Sequence, residues 1–223
     1  MEKRSYRQSC AVARGSDLLG ERWTMLIVRD LLIAPRRFTE LQARLKGMGA
    51  NLLAKRLRAM TTAGLVTAPE TDRCYALTER GSALEPLILE LVRWTLRWFE
   101  PGGSSHDIHF PDWDLLALKA LFQPDVRRTQ PLLARFEADG WVAWVRIDSS
   151  SCHFGLGEPP ARPDIEFPCL IPALRSRGEI VGKLPLHFQA AAYDFLEAFE
   201  GGRDGAVPRA QVFAESNLES AIR

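Results

Sequence analysis

Residues 36–60 constrain this chain most, because they hold two short amphipathic helical patterns, parted by Gly47 and Gly49, with cations concentrated on the second. In the second pattern Leu53, Leu57 and Met60 recur at i, i+4 and i+7 and so share one buried stripe of a helix. Asn51, Ala54, Lys55 and Arg58 lie on the opposite face at the same kind of spacing. That predicts a polar strip one helix wide, with an amide suited to adenine, two cations suited to guanine or phosphate, and a small residue that permits close approach to a groove. The first pattern opens with Thr39-Glu40-Leu41-Gln42, the form of a capping box, and the two glycines supply a tight inter-helix turn. From this window alone two readings stay open: a helix-turn-helix that reads DNA, and a helical hairpin with a solvated basic face.

The following residues bear on that choice. Leu65 to Ala68 and Cys74 to Leu77, either side of Pro69-Glu70-Thr71-Asp72-Arg73, read as a β-hairpin, which is a wing when it follows a recognition helix. Arg73 then sits where it can enter a minor groove or pair with phosphate, or serve only as a polar turn residue. Upstream, Cys10–Leu19 and Arg22–Leu32 read as two further helices broken at Gly20.

A family resemblance now becomes specific. Cys10-Ala11-Val12-Ala13, Leu18-Leu19-Gly20, Arg22-Trp23-Thr24, Arg29-Asp30-Leu31, Arg36-Arg37-Phe38, Asn51-Leu52-Leu53, Arg56-Leu57, Ala63-Gly64-Leu65-Val66 and Tyr75-Ala76-Leu77-Thr78-Glu79-Arg80-Gly81 occur in the order of the HxlR-type winged-helix transcriptional regulators. The resemblance covers roughly the first hundred residues and implies a dimeric regulator on an inverted repeat of double-stranded DNA. It departs at Ala11, where the family usually has proline, and at Gly49-Ala50, where it often has Ser-Pro. Glycine still serves as an N-cap, so the recognition helix, expected over 50–63, survives. On this reading Asn51, Lys55 and Arg58 face bases or phosphates, Arg36, Arg37 and Arg56 anchor the backbone, Thr39 joins the interface and Arg73 serves the wing. Some members of the family use a cysteine at the start of the first helix as a redox switch, which makes Cys10, near Arg7 and Arg14, the candidate sensor; an inert thiol at a dimer interface is the other reading.

Length and charge describe the remainder. A chain of 223 residues suits about two domains. Residues 1–100 carry 17 Lys+Arg against 11 Asp+Glu, a net of +6, and residues 101–223 carry 12 against 17, a net of −5. Positive charge on the first part is the footprint expected for phosphate binding, with an affinity that falls as salt rises. We therefore expect a DNA-binding and dimerisation domain at 1–100, a linker at 101–110 around Pro101-Gly102-Gly103-Ser104-Ser105, and a smaller α+β domain at 111–223. Residues 82–99 read as a helix capped by Ser82 and Glu85, with stripes at Leu84, Leu87, Leu91, Trp94 and at Ile88, Val92, Thr95, Phe99. One stripe suits its own domain; the other suits a homodimer partner or the C-terminal domain.

In the second part Trp113–Phe122 reads as a helix, Phe136, Trp141–Ile147, His153–Leu156 and Asp164–Phe167 as strands, and 168–177 and 186–200 as helices. The run Trp113–Phe122, the strands and Pro163-Asp164-Ile165 resemble the sterol-carrier-type domain found in some longer regulators. That resemblance implies a cavity for a small hydrophobic effector lined by Trp141, Trp144, Phe154 and Phe167, although core packing explains the same aromatics.

Catalytic and cofactor chemistry finds no motif. Cys10, Cys74, Cys152 and Cys169 show no paired metal-ligand spacing, and His106 and His109 lack a cysteine partner. No phosphate loop or nucleophile elbow stands out, so no enzyme, cofactor or metal is expected. Without a signal peptide or a membrane-length apolar run the expected location is the cytoplasm. The leading reading is a repressor-type regulator; the alternative is a small-molecule carrier whose winged helix serves dimerisation.

Overall fold

The computed structural model describes residues 5–68, 73–98, 108–138 and 140–167, together with Phe195, Ala198 and Phe199. The helices expected at 168–177 and 186–200, apart from those three residues, lie outside this set, as do Pro101–Ser105, the hairpin turn 69–72, Phe99, His106 and Cys169. The described part is α+β and falls into two compact units, Met1–Ile88 and Leu89–Arg223.

The first unit runs α1 (Ala11–Leu19), α2 (Thr24–Ile33), β1 (Arg36–Arg37), α3 (Phe38–Arg44), α4 (Ala50–Thr62), β2 (Val66–Thr67), β3 (Cys74–Leu77) and α5 (Glu79–Ser82). Its core is aliphatic: Ile27, Val28 and Leu31 of α2, Leu41 of α3 and Leu53, Leu57 and Met60 of α4 are all buried. A charged cluster sits among them. The Arg44 guanidinium donates to Asp30 Oδ1 at 2.7 Å and Arg29 to Asp30 Oδ2 at 2.9 Å, so the fully buried Asp30 is matched by two cations rather than left as an isolated charge. β2 and β3 pair antiparallel with Val66 opposite Leu77, and β1 adds a third strand with Arg36 opposite Tyr75 and Arg37 opposite Cys74.

Two capping boxes are corrected. α3 begins at Phe38, because β1 runs straight into it and the Glu40 carboxylate accepts from the Arg37 N–H at 2.6 Å; Thr39 is an exposed residue of the first turn, not the cap. A guanidinium has no acceptor, so this is half of a capping box. Residues 82–99 are not one helix. Thr78 caps the short α5 by accepting from Gly81 N–H at 3.1 Å, and α6 (Glu85–Trp98) starts afresh. Pro86 therefore falls at the second helical position, where its missing N–H has no intrahelical acceptor to lose.

The second unit takes up α6 from Leu89 and continues through a 3₁₀ turn (Pro111–Trp113), α7 (Asp114–Leu121), β4 (Leu132–Ala138), β5 (Trp141–Ile147), β6 (Cys152–Leu156) and β7 (Ile165–Phe167). The sheet order is β6-β5-β4-β7, antiparallel except for the parallel β4–β7 pair. Register assigns the faces: Ala134, Phe136, Ala143, Val145, Ile147, Cys152, Ile165 and Phe167 share one and are buried. On it Phe136 stacks on Phe167 with ring centres 5.1 Å apart, and Phe195 lies 6.1 Å and 5.8 Å from the two.

Candidate nucleic-acid interface

Helix α4 is held by its apolar stripe and presents its polar one. Leu53, Leu57 and Met60 are buried, Asn51, Lys55 and Arg58 are exposed, and Ala54 between them is half-buried. A short polar turn delivers the helix, with Gly47 at φ +89°, a conformation an L side chain adopts only with strain. At its start Gly49 has extended backbone and no side chain caps the first turn, which leaves helix-dipole and amide character toward solvent at that end. Its end is closed instead: Arg80 donates to the Ala63 carbonyl at 3.0 Å, and the Thr78 hydroxyl donates to the Gly64 carbonyl at 2.6 Å. Sequence reasoning assigned nothing to Arg80 or Thr78, and no spacing signal linked them to a carbonyl fourteen or more residues away.

The remaining cations divide. Arg37 is exposed at the end of β1 beside Cys74, and Arg73, the residue before β3, is exposed as well, so the register sets both at one end of the three-stranded sheet. Arg73 has φ +59°, the left-handed region. Arg36 is half-buried in β1 opposite Tyr75. Arg56 does not join the exposed strip: its guanidinium pairs with Glu21 Oε2 at 2.8 Å and its side chain keeps 16% exposure. A phosphate would have to displace Glu21 to reach it. Glu21 was invisible to helical periodicity because it belongs to the α1–α2 loop.

Cys10 is exposed and caps α1, its Sγ accepting from the Ala13 N–H at 3.2 Å. The four aromatics expected to line one cavity are not together. Register sets Phe154 opposite Val145 and Phe167 opposite Phe136 on the buried face, with Trp141 in phase with Ala143, whereas Trp144 is opposite Gly155 on the other face. A Cβ on Gly155 would come within 2.6 Å of the Trp144 ring, so the indole lies directly over that glycine. Among the described residues there is no group of three or more His, Cys, Asp or Glu placed to hold a metal, and no helix long and apolar enough to cross a membrane.

Residues 18–102 match the HxlR-like helix-turn-helix family. YvaP of Bacillus subtilis, an HTH-type transcriptional regulator, is 37% identical over 91 residues, which are 39% of this chain and 84% of that protein. The chain belongs to the HxlR-like helix-turn-helix family. A second HxlR-like relative from the same organism, the HTH-type transcriptional regulator YodB, is 36% identical over 92 residues, 39% of this chain and 82% of YodB. The crystal structure of quinone-bound YodB aligns with a TM-score of 0.36 at 31% identity, covering 39% of this chain and 96% of that one. The HxlR-like match contains α2, α3, α4 and the three-stranded sheet, so the elements that carry Asn51, Lys55 and Arg58 are the family's helix-turn-helix and wing.

Proposed function

We propose that this DNA-binding regulator occupies an inverted-repeat operator as a homodimer and acts as a repressor. The observation that carries the reading is α4, whose buried leucine stripe fixes the helix while Asn51, Lys55 and Arg58 stay exposed on a basic unit. On this reading α4 enters the major groove, Arg37, Arg36 and Thr39 approach the backbone, and Arg73 serves the wing. Arg56 moves to a supporting role through Glu21.

Dimerisation draws support from α6. Leu87, Leu91, Trp94 and Trp98 recur along one face and are 46%, 44%, 52% and 66% exposed, and Val12 of α1 is 79% exposed. Large apolar side chains in such a row mark an interaction surface. The first hundred residues then form the DNA-binding and dimerisation domain, 101–110 the linker, and 111–223 an effector domain of sterol-carrier type, in the cytoplasm. Oxidation of Cys10 is the second input we propose, since its thiol is exposed at the start of α1.

Titrating duplex DNA from the promoter beside the gene, at two salt concentrations, tests the reading. Specific binding in the nanomolar range with a steep salt dependence is expected. Equal affinity for random duplex sinks it and favours a carrier protein whose winged helix serves only dimerisation.

A further inference from the structure

The second unit contains a cleft of about 360 Å³ lined by α6, α7 and the β5–β6 turn. Its floor is apolar, formed by Leu89, Phe122 and Cys152, all of them buried. Its polar wall is cationic: Arg93, Lys119 and His153 line it, and no carboxylate does among the described residues. The volume lies within the roughly 300–1,000 Å³ typical of small-molecule sites.

The cations are held in place before any ligand arrives. Arg93 Nε donates to the Ala120 carbonyl at 2.5 Å while another of its nitrogens pairs with Glu90, and the Lys119 ammonium stands 5.7 Å over the Phe154 ring. The carboxylate of the adjacent turn is already occupied. Asp148 accepts from the Ser150 and Ser151 N–H groups at 2.8 Å each and from the Ser151 hydroxyl at 2.6 Å, bonds that hold its carboxyl well below the usual range.

We propose that this cleft binds a small organic carboxylate, its apolar body on Leu89 and Phe122 and its anionic end toward Lys119, Arg93 and His153. A neutral hydrophobe would desolvate the cations without matching them, and a compact inorganic anion would leave the apolar floor unused. Leu89 and Arg93 belong to the helix that carries the exposed Leu87, Leu91, Trp94 and Trp98 row, so an occupant touches the element proposed for dimerisation. The role as effector site therefore rests on the regulator reading above; the binding does not.

The experiment uses the full-length protein without DNA, with benzoate and hexanoate as probes and benzamide and hexanamide as neutral counterparts. The carboxylates should raise the melting temperature in proportion to occupancy and give a saturable calorimetric isotherm. The amides should do neither. Lys119→Met, which keeps the aliphatic stem, should weaken carboxylate binding on the order of tenfold or more, and Lys119→Gln serves the same purpose if the first variant does not fold. Absence of binding by either carboxylate, equal binding by the amides, or wild-type affinity in a folded Lys119 variant overturns the site. A second arm measures operator affinity with benzoate at saturation. A change supports the effector role, and unchanged specific binding overturns it; carboxylate binding by a protein with no DNA preference instead defeats the regulator reading and leaves the site intact.

Discussion

Helix α4 and strand β5 each carry two faces written by a plain periodicity, and they use them differently. In α4 one face is aliphatic and buried, and the other is polar and exposed. In β5 Ala143, Val145 and Ile147 are buried on one face, while the other holds the half-buried Trp144 over Gly155 beside the strand pair that sets Arg135 against it. A period tells which residues share a face; it does not tell whether that face meets solvent. Where the second face is polar the question is nearly answered by composition, and where it is aromatic only the neighbouring strands answer it.

The sharpest way to break this contrast is to delete the core beneath each element. Phe136→Ala removes a ring stacked between Phe167 and Phe195 and should cost about 3–5 kcal/mol in denaturant titration. Operator affinity of the fraction that stays folded should be unaltered; a parallel loss of DNA binding would show that the two elements are not separable in function. Leu57→Ala should cost about 2–5 kcal/mol and weaken DNA binding as well, since the stripe that it interrupts fixes the groove-facing strip. Retained affinity in that variant would detach α4 from the interface.

Smaller effects sharpen the assignment on the exposed face. Arg58→Ala should cost about 1–3 kcal/mol in operator affinity if it reads a base, and Lys55→Ala should instead weaken all sequences alike and reduce the salt slope by about one. Anisotropy titrations over a salt series separate the two outcomes. The smallest effect belongs to the second unit. Hydrogen bonds from the Arg127 side chain and backbone lower Asp125 from 3.8 to about 2. A depressed carboxyl stabilises the fold above its ordinary value and loses that contribution as pH falls from about 4 towards about 2. Asp125→Asn should flatten that part of the acid limb slightly in a stability–pH profile, with no change near neutrality beyond a constant offset.

Much of the fold was legible in the residues themselves. The i, i+4, i+7 leucines of α4, the hairpin residues 65–68 and 74–77, and the strands of the second unit each announce their period, and the structure sets their elements within a residue or two of the expected bounds. Charge pattern and spacing also picked out Asn51, Lys55 and Arg58 as the face left exposed. What stayed hidden depends on partners distant in sequence. Arg56 has the same composition-level credentials as Arg58, and only Glu21, 35 residues away, withdraws it. β1 is two residues long, too short for any period, and exists because Arg36 and Arg37 find Tyr75 and Cys74. The shared cavity of four aromatics failed because Trp141 and Trp144 are three apart on a strand, an odd spacing that alternation sends to opposite faces.

The loop between α1 and α2 bears on how this recognition helix could be moved to another protein. Trp23 opens α2 with φ +80°, a left-handed backbone in a bulky residue, with Arg22 stacked 5.0 Å from its ring and Gly47 of the α3–α4 turn 3.9 Å from its far edge. Glu21 in the same loop holds Arg56 of α4. Such a conformation costs on the order of 1–3 kcal/mol and persists only where its surroundings over-determine it. The portable unit of specificity is thus discontinuous: a graft of residues 50–62 alone would arrive with Arg56 unanchored, whereas one that carries Glu21–Trp23 with it would bring its own brace.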